Sequence, residues 1–442
     1  MSRLAAIPLH PQLKSHPDAR GELWSSIMNV AYSGPWPKLD ENDALLMDVA
    51  RRIQLTKTKH EAAETNFRAL CNHVDREGSP LENKVVECYP SGSFATGTAI
   101  ASRVAQSQHD VDVVIELDVP SNSAPKQILD LLFTAINGDP GSRYHGKVTK
   151  NSRCVTVDYE DGTTVDLMPV SRITGPERAG HLFHHKPESS ESFHKQVNPW
   201  GFAKHFNDHV KFDPAFYDLF KGRRVLVEGT LLEKAETQPM PVHAPIDEKS
   251  PRVVALQLIK RNRDIAWRAA SRRDLRKPPS VVLAAIALDA GPVHLSLLEE
   301  VVAVANQLRV RLAETHGPRG TVQVFNPSYA PDEFTDRWPE NKSAQAQYSE
   351  DLRKLVVALH KLKSEDLSLA EKREVLKALF GETAAAYAVE STLDARRREM
   401  QAGRMHIDGA GKVLGVAAPA VVGMRSTAAR AATREGGGNF RE

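Results

Sequence analysis

The sequence predicts an α+β chain: a mixed-sheet unit over residues 84–170, then a long helical half. Three observations carry this. Residues 84–170 hold short runs in which apolar and polar positions alternate, the period of half-buried strands. From Ser250 onward, apolar residues return at three- and four-residue spacings, the period of helices. Residues 175–250, between the two, are rich in His, Pro and Gly. A length of 442 residues suits two or three domains, and 41% apolar content is enough for a sizeable core.

The elements follow in order. Residues 1–40 are Pro-rich and irregular, apart from an amphipathic piece around Leu23–Ala31. Leu45, Leu46, Val49, Ile53, Ala62, Phe67, Leu70 and Val74 predict helix from Glu41 to about Glu77, as one long helix or two, ended by Gly78-Ser79-Pro80. Residues 85–89 read as a strand. So do residues 111–117, where Val111, Val113, Ile115 and Leu117 alternate with polar neighbours. Pro125–Ile136 reads as a helix. Arg153–Tyr159 and Thr164–Val170 read as a hairpin about Asp161-Gly162. A two-residue turn there pairs 158 with 165 and 157 with 166, which sends Asp158 and Asp166 to opposite faces. Asn198-Pro199 opens a helix, as does Ser250-Pro251, running through Trp267. Ser280 caps Val281–Leu288, and helices follow at Ser296–Leu312, Ser343–Leu362 and Leu369–Leu393. Residues 401–442, with Gly436-Gly437-Gly438, read as a mobile tail. There is no internal repeat and no sustained heptad.

Composition narrows the class. The 58 Lys and Arg nearly cancel the 56 Asp and Glu, giving +2. This argues against a protein that coats long nucleic acid, but not against a local basic cleft. Cys71, Cys88 and Cys154 include no C-x-x-C pair, so neither a disulfide scaffold nor a cysteine zinc site is expected. A reduced, cytoplasmic setting follows. No apolar run approaches the ~20 residues of a membrane span, and the start lacks a signal-peptide core.

The chemistry concentrates in Ser91-Gly92-Ser93, in His109-Asp110-Val111-Asp112 and in Val165-Asp166-Leu167. Along a strand, residues i and i+2 share a face, so Asp110 and Asp112 stand side by side while Val111 and Val113 turn away. Adjacent carboxylates repel unless a cation neutralises them, and hard oxygen ligands suit Mg²⁺ or Mn²⁺. With Asp166 as a third acid, two such ions can be held, the arrangement used for phosphoryl transfer. Asp158 is the rival for the third place. Glu116 and Asp118 read as solvated. Gly92 lets backbone approach a ligand, and the Ser93 hydroxyl can cap a helix whose N-terminus meets phosphate. Metal and phosphate cradle together point to a nucleoside triphosphate. His181, His184, His185 and His194 read as loop residues, and Trp200, Trp267 and Trp338 as packing residues.

This pattern resembles the polymerase-β-like nucleotidyltransferases. Within them, Gly92-Ser93-Phe94-Ala95-Thr96-Gly97-Thr98-Ala99-Ile100 is similar to the cGAS/DncV-like nucleotidyltransferases (CD-NTases) of bacterial CBASS anti-phage signalling. Gln257–Asp264, Lys277-Pro278-Pro279-Ser280 and Val324-Phe325-Asn326-Pro327 resemble further segments of that family, so the likeness spans about residues 45–390. The resemblance implies a bilobed fold. Residues 1–44 would be an N-terminal segment, 45–230 the bracing helix and nucleotidyltransferase core, 231–400 a helical (OAS/PAP-like) lobe, and 401–442 the tail. It implies phosphate contacts from Lys260 and Ser280, whose other readings are a solvated helix face and a plain cap. It further implies a cyclic di- or trinucleotide product, ATP or other triphosphates as substrates, and regulatory and effector partner proteins. A linear oligonucleotide synthetase or tailing enzyme, and an inactive nucleotide-binding module, are the alternatives. The sixteen residues between Ser93 and Asp110 make a longer connection than the minimal polymerase-like spacing.

Overall fold

In the computed structural model, the described residues are 39–101, 109–186, 188–189, 191–228, 248–402, 405–407 and 413–415. The amphipathic piece at 23–31, the connection at 102–108 and the Gly-rich end at 436–442 lie outside them.

The helical stretch after residue 40 is two helices, α1 (Glu41–Arg52) and α2 (Lys57–Val74). Asp40 caps the first through Asn42 N (2.8 Å), and Thr56 caps the second through Lys59 N (3.3 Å). Strand β1 (Val85–Pro90) leads into a one-turn helix, α3 (Gly92–Ala95). Next come β2 (His109–Leu117), α4 (Pro125–Asn137), β3 (Val148–Lys150), β4 (Val155–Asp158), β5 (Thr163–Arg172), β6 (Gly180–His185) and β7 (Ser192–Val197). The seven strands form one mixed sheet with the path β1-β2-β5-β4-β3, and β6 and β7 continue from β5. Only β2 and β5 run parallel among these pairs.

One face of the sheet is apolar. Val111, Val113, Ile115, Val165 and Leu167 pack there against Phe67, Leu70 and Val74 of α2 and Ile128 and Leu132 of α4. The opposite face carries the acids at one end of β2 and β5 and a smaller apolar cluster, with Tyr89, Val114 and Val170, at the other.

The helical half comprises α5 (Pro199–His209), α6 (Pro214–Glu228), α7 (Pro251–Ala266), α8 (Ser280–Ala287), α9 (Leu297–Arg311), α10 (Lys342–Ser364), α11 (Leu369–Phe380) and α12 (Glu382–Gln401). A short ribbon, β8 (Phe325–Asn326) and β9 (Tyr329–Glu333), lies between α9 and α10. These helices enclose a second core, and α1, α5 and α6 contribute to it: Leu46, Met47 and Val49 meet Phe202, Phe206 and Phe216 there. The expected bracing helix therefore divides, with α1 in the helical core and α2 under the sheet.

Four local expectations change. The run 369–393 breaks at Gly381, whose φ of +91° no continuing helix allows. The hairpin turn holds three residues, with Tyr159 N bonded to Thr163 O (2.9 Å) and Gly162 at φ +80°. That moves the register by one, to Thr156 opposite Asp166 and Asp158 opposite Thr164, so Asp158 and Asp166 share a face. His181, His184 and His185 are strand residues of β6, and His194 belongs to β7. Within the expected tail, residues 405–407 (β10) pair with 413–415 (β11).

Candidate active site

β2 and β5 lie side by side and parallel, with Asp112 opposite Asp166 and Asp110 opposite Thr164. The three acids therefore occupy one face at one end of a single strand pair. Threonines hold two of them: Thr164 Oγ1 donates to Asp110 Oδ1 (2.7 Å), and Thr156 Oγ1 donates to Asp166 Oδ1. Burial, with Asp166 and Asp110 nearby, pushes the Asp112 carboxyl up to about 7. Asp166 is also raised, by burial first and by Asp110. Asp158 is exposed and Asp166 half-buried, so Asp166 keeps the place in the site although both share a face. Glu116 is not solvated. It is 1% exposed, ion-paired with Arg172 and approached by Tyr89 Oη (3.4 Å). Its charge is answered by the protein itself, whereas among the described residues no arginine pairs with the triad.

The Gly-Ser turn is fastened to this pair of strands. Ser91 N donates to Asp112 O (2.8 Å). Gly92 has φ +56°, and a Cβ there would overlap the Asp112 carboxylate. Both the backbone conformation and the close approach demand glycine. Ser93 is not the helix cap: Ser91 takes that position, without a side-chain cap bond, and Ser93 sits inside α3. Any contact of Ser93 with a phosphate would therefore run through its hydroxyl, not through capping.

Helix α7 closes the other side. Lys260 is 4% exposed and donates to Thr98 O (2.7 Å), and Gln257 Nε2 donates to Ala99 O (2.9 Å). Burial and Arg263 lower the Lys260 ammonium to about 7. The solvated-face reading of Lys260 fails, because its nitrogen points into the fold beside the Gly-Ser loop. Ser280 is not the cap of α8, which is Pro279; its hydroxyl accepts from Arg263 Nη1 (3.3 Å). Ser93, Asp110, Lys260 and Ser280 all line one cleft of about 650 Å³. Seven Lys and Arg but two acids line it, so the near-neutral chain does hold a local basic cleft.

Sequence reasoning missed Thr156, Thr164, Arg268 and Arg273. The Thr164-x-Asp166 spacing was a usable signal, since i and i+2 share a face. Arg268 and Arg273 lie beyond α7 and carried no pattern. Trp267 packs on Tyr348 at 5.9 Å and also walls the cleft, while Trp200 and Trp338 pack on Tyr89 and Tyr348.

Among the described residues, no three His, Cys, Asp or Glu side chains close into a metal centre. The donor set still fits a hard divalent cation. Three carboxylates share a face, and two of them are raised by burial first and by neighbouring acids second, a cost that a cation would offset.

Residues 42–198 match the Second Messenger Oligonucleotide or Dinucleotide Synthetase domain. The chain is 30% identical over 401 residues to the cyclic dinucleotide synthase CdnG of Bradyrhizobium diazoefficiens, covering 90% of this chain and 94% of that relative. The protein belongs to the CD-NTase family. It is therefore a nucleotidyltransferase, with a polymerase-β-like catalytic half and a helical C-terminal region. Among solved CD-NTases, the B. diazoefficiens CdnG complex with GTP matches with a TM-score of 0.67 at 29% identity, over 80% of this chain and all of that one. The E. coli MS115-1 CdnC structure with ATP matches with a TM-score of 0.49 at 18% identity, over 77% of this chain and 97% of that one. No helix among the described residues of this CD-NTase is long and apolar enough to cross a membrane.

Proposed function

We propose that this enzyme joins two ribonucleoside triphosphates, GTP among them, into a cyclic dinucleotide and releases pyrophosphate. The observation that carries this reading is the convergence of Ser93, Asp110, Lys260 and Ser280 on one basic cleft beside Asp112 and Asp166. Similarity to a synthase of cyclic dinucleotides along 90% of the chain supports the product class.

Asp110, Asp112 and Asp166 would hold two Mg²⁺ or Mn²⁺ ions. When bound, these supply Lewis-acid stabilisation of the charge that develops on phosphate and leaving oxygens. The remaining work falls to the chain. Ser93, Lys260 and Ser280 orient the donor triphosphate, and Arg263 holds Ser280 in place through its 3.3 Å contact. Thr156 and Cys154 hold Asp166 in place, and its carboxylate takes the proton of the acceptor ribose hydroxyl. The hydroxyl oxygen bonds to the α-phosphorus in line as the bond to pyrophosphate breaks. In a second transfer the free ribose hydroxyl of the joined dinucleotide attacks its own 5′ α-phosphorus, and a second pyrophosphate leaves as the ring closes. We place the product in cytoplasmic anti-phage signalling, as the CBASS resemblance implies.

The test is incubation with labelled ATP, GTP, CTP and UTP and Mg²⁺ or Mn²⁺, then phosphatase digestion. A resistant dinucleotide that vanishes in Asp110→Ala/Asp112→Ala is expected. A resistant product that survives the double change sinks the assigned site. A phosphatase-sensitive ladder establishes a linear synthetase instead. For the signalling role, phage plating on cells carrying the system should improve with the same double change.

A further inference from the structure

Asp166 is held from the β3–β4 turn. Asn151 Nδ2 donates to Thr156 Oγ1 (2.7 Å), which leaves the Thr156 hydroxyl proton for Asp166. The Cys154 thiol hydrogen-bonds to the same carboxylate, and Asn151 N donates to Cys154 O (2.9 Å). The place of the third acid therefore depends on the place of residues 151–154. The sheet alone grips this turn weakly. β3 is three residues long and ends the strand path, so it has a neighbour on one side only. Lys150 adds a tie to Asp130 of α4.

The turn also reaches the helical half. The Arg153 guanidinium pairs with Asp336, and the two side chains are 15% and 23% exposed. Arg153 Nε donates to His184 Nδ1 (2.9 Å), which fixes the direction of the guanidinium. Asp336 lies between β9 and α10, two residues before Trp338, a fully buried ring of the helical core. Arg319 donates to the carbonyls of Thr335 and Asp336, and Val324 N donates to Thr335 Oγ1 (3.0 Å). Asp336 is thus a fixed point of the helical half. Burial works against its charge, but Arg153 and Lys195 hold its carboxyl below the usual range.

The donor-phosphate residues Lys260 and Ser280 belong to α7 and α8 of that same half, whereas Asp166 belongs to the sheet. Proton removal and in-line attack need the two sets in fixed register. We propose that Arg153 and Asp336 are positioning residues for the transfer, whose ion pair sets Asp166 against the helical half through the 151–154 turn. The inference rests on the proposed role of Asp166 as proton acceptor. Neither residue touches a reacting atom.

The test compares full-length Asp336→Asn, Arg153→Met, Arg153→Lys and the Arg153→Met/Asp336→Asn double variant. In Asp336→Asn and Arg153→Met, kcat at saturating triphosphate should fall about tenfold, while affinity for a GTP analogue that cannot be cleaved between its α and β phosphates stays within about twofold. The double variant should lose no more than either single one, because both changes break one link. Arg153→Lys keeps the charge and should recover part of the loss. A readout independent of turnover is alkylation of native thiols by a maleimide, followed by mass spectrometry. Cys154 should react about fivefold faster in Asp336→Asn, as its turn loosens. Cys71 and Cys88, in the core under the sheet, should keep their rates. An unchanged kcat in Asp336→Asn, losses that multiply in the double variant, or kcat and analogue affinity falling together overturns the inference. So does an equal rise at all three thiols, which marks general loosening. A wild-type chain that makes no cyclic dinucleotide sinks the product reading, and the Cys154 rates then decide by themselves whether the ion pair holds the turn.

Discussion

Gly92 ties the local backbone to the chemistry. Its positive φ and its contact with Asp112 mean that Gly92→Ala strains the turn and displaces the carboxylate proposed to hold metal. A stability loss of about 1–2 kcal/mol is expected from the backbone alone. A roughly hundredfold loss of synthesis should follow from a misplaced acid. Thermal melts and product assays on one preparation check both. Asp112 gives a pH dependence with a definite sign. Its carboxyl rises from an ordinary 3.8 to about 7 in the folded, metal-free protein. A raised folded-state pKa favours the protonated native form, so stability from this group is present at low pH and is lost as pH climbs from about 4 through 7. Melting of the metal-free enzyme should therefore show a pH-dependent loss over that window. Asp112→Asn should remove this part of the dependence, melt higher near neutral pH and make no product. If the variant melts lower than wild type at neutral pH, the raised carboxyl is not a source of instability.

At the scale of elements, α7 positions the loop that follows the Gly-Ser turn. Gln257 and Lys260 reach the carbonyls of residues 97–99, so the loop after Ser93 hangs from a helix of the other core. Gln257→Ala should lower kcat by about tenfold without touching substrate, as read from initial rates at saturating triphosphate. Arg252, at the start of α7, pairs with Glu300 of α9 and donates to Ala287 O (2.6 Å) and Gly291 O (2.9 Å). Arg252→Met leaves a buried carboxylate unpaired and should cost about 3–5 kcal/mol in urea unfolding. Restoring balance with Glu300→Gln in the same chain should recover part of that loss. The caps at Asn198, Ser250 and Ser296 were legible because Ser and Asn in those positions accept from the first turn. The break at Gly381 was not, because a glycine inside a helical period reads equally as a tolerated residue or as a stop. The hairpin register escaped for a similar reason: Asp-Gly marks a turn but does not distinguish two loop residues from three.

For the whole molecule, charges that nearly cancel along the chain separate in space. The cleft beside Asp110 gathers seven cations against two acids, a focus suited to a triphosphate rather than an extended track for long nucleic acid. Triphosphate affinity should thus fall as salt rises, while duplex DNA or RNA leaves the rate of synthesis unchanged. A duplex that accelerates synthesis would contradict this.

The sequence by itself determined the acids and the turn that serves them. Gly92, Asp110, Asp112 and Asp166 are fixed by local rules: the two-residue period of a strand, and a backbone conformation open to glycine. Which acids stay free for a cation was decided only by tertiary structure. Glu116 lies on the face of Asp110 and Asp112 but is buried against Arg172, a partner 56 residues away in sequence. The placing of Lys260 and Ser280 in the cleft, and the division of α1 and α2 between two cores, belong to the same category. They depend on packing between segments far apart in the chain, and no local period carries that information.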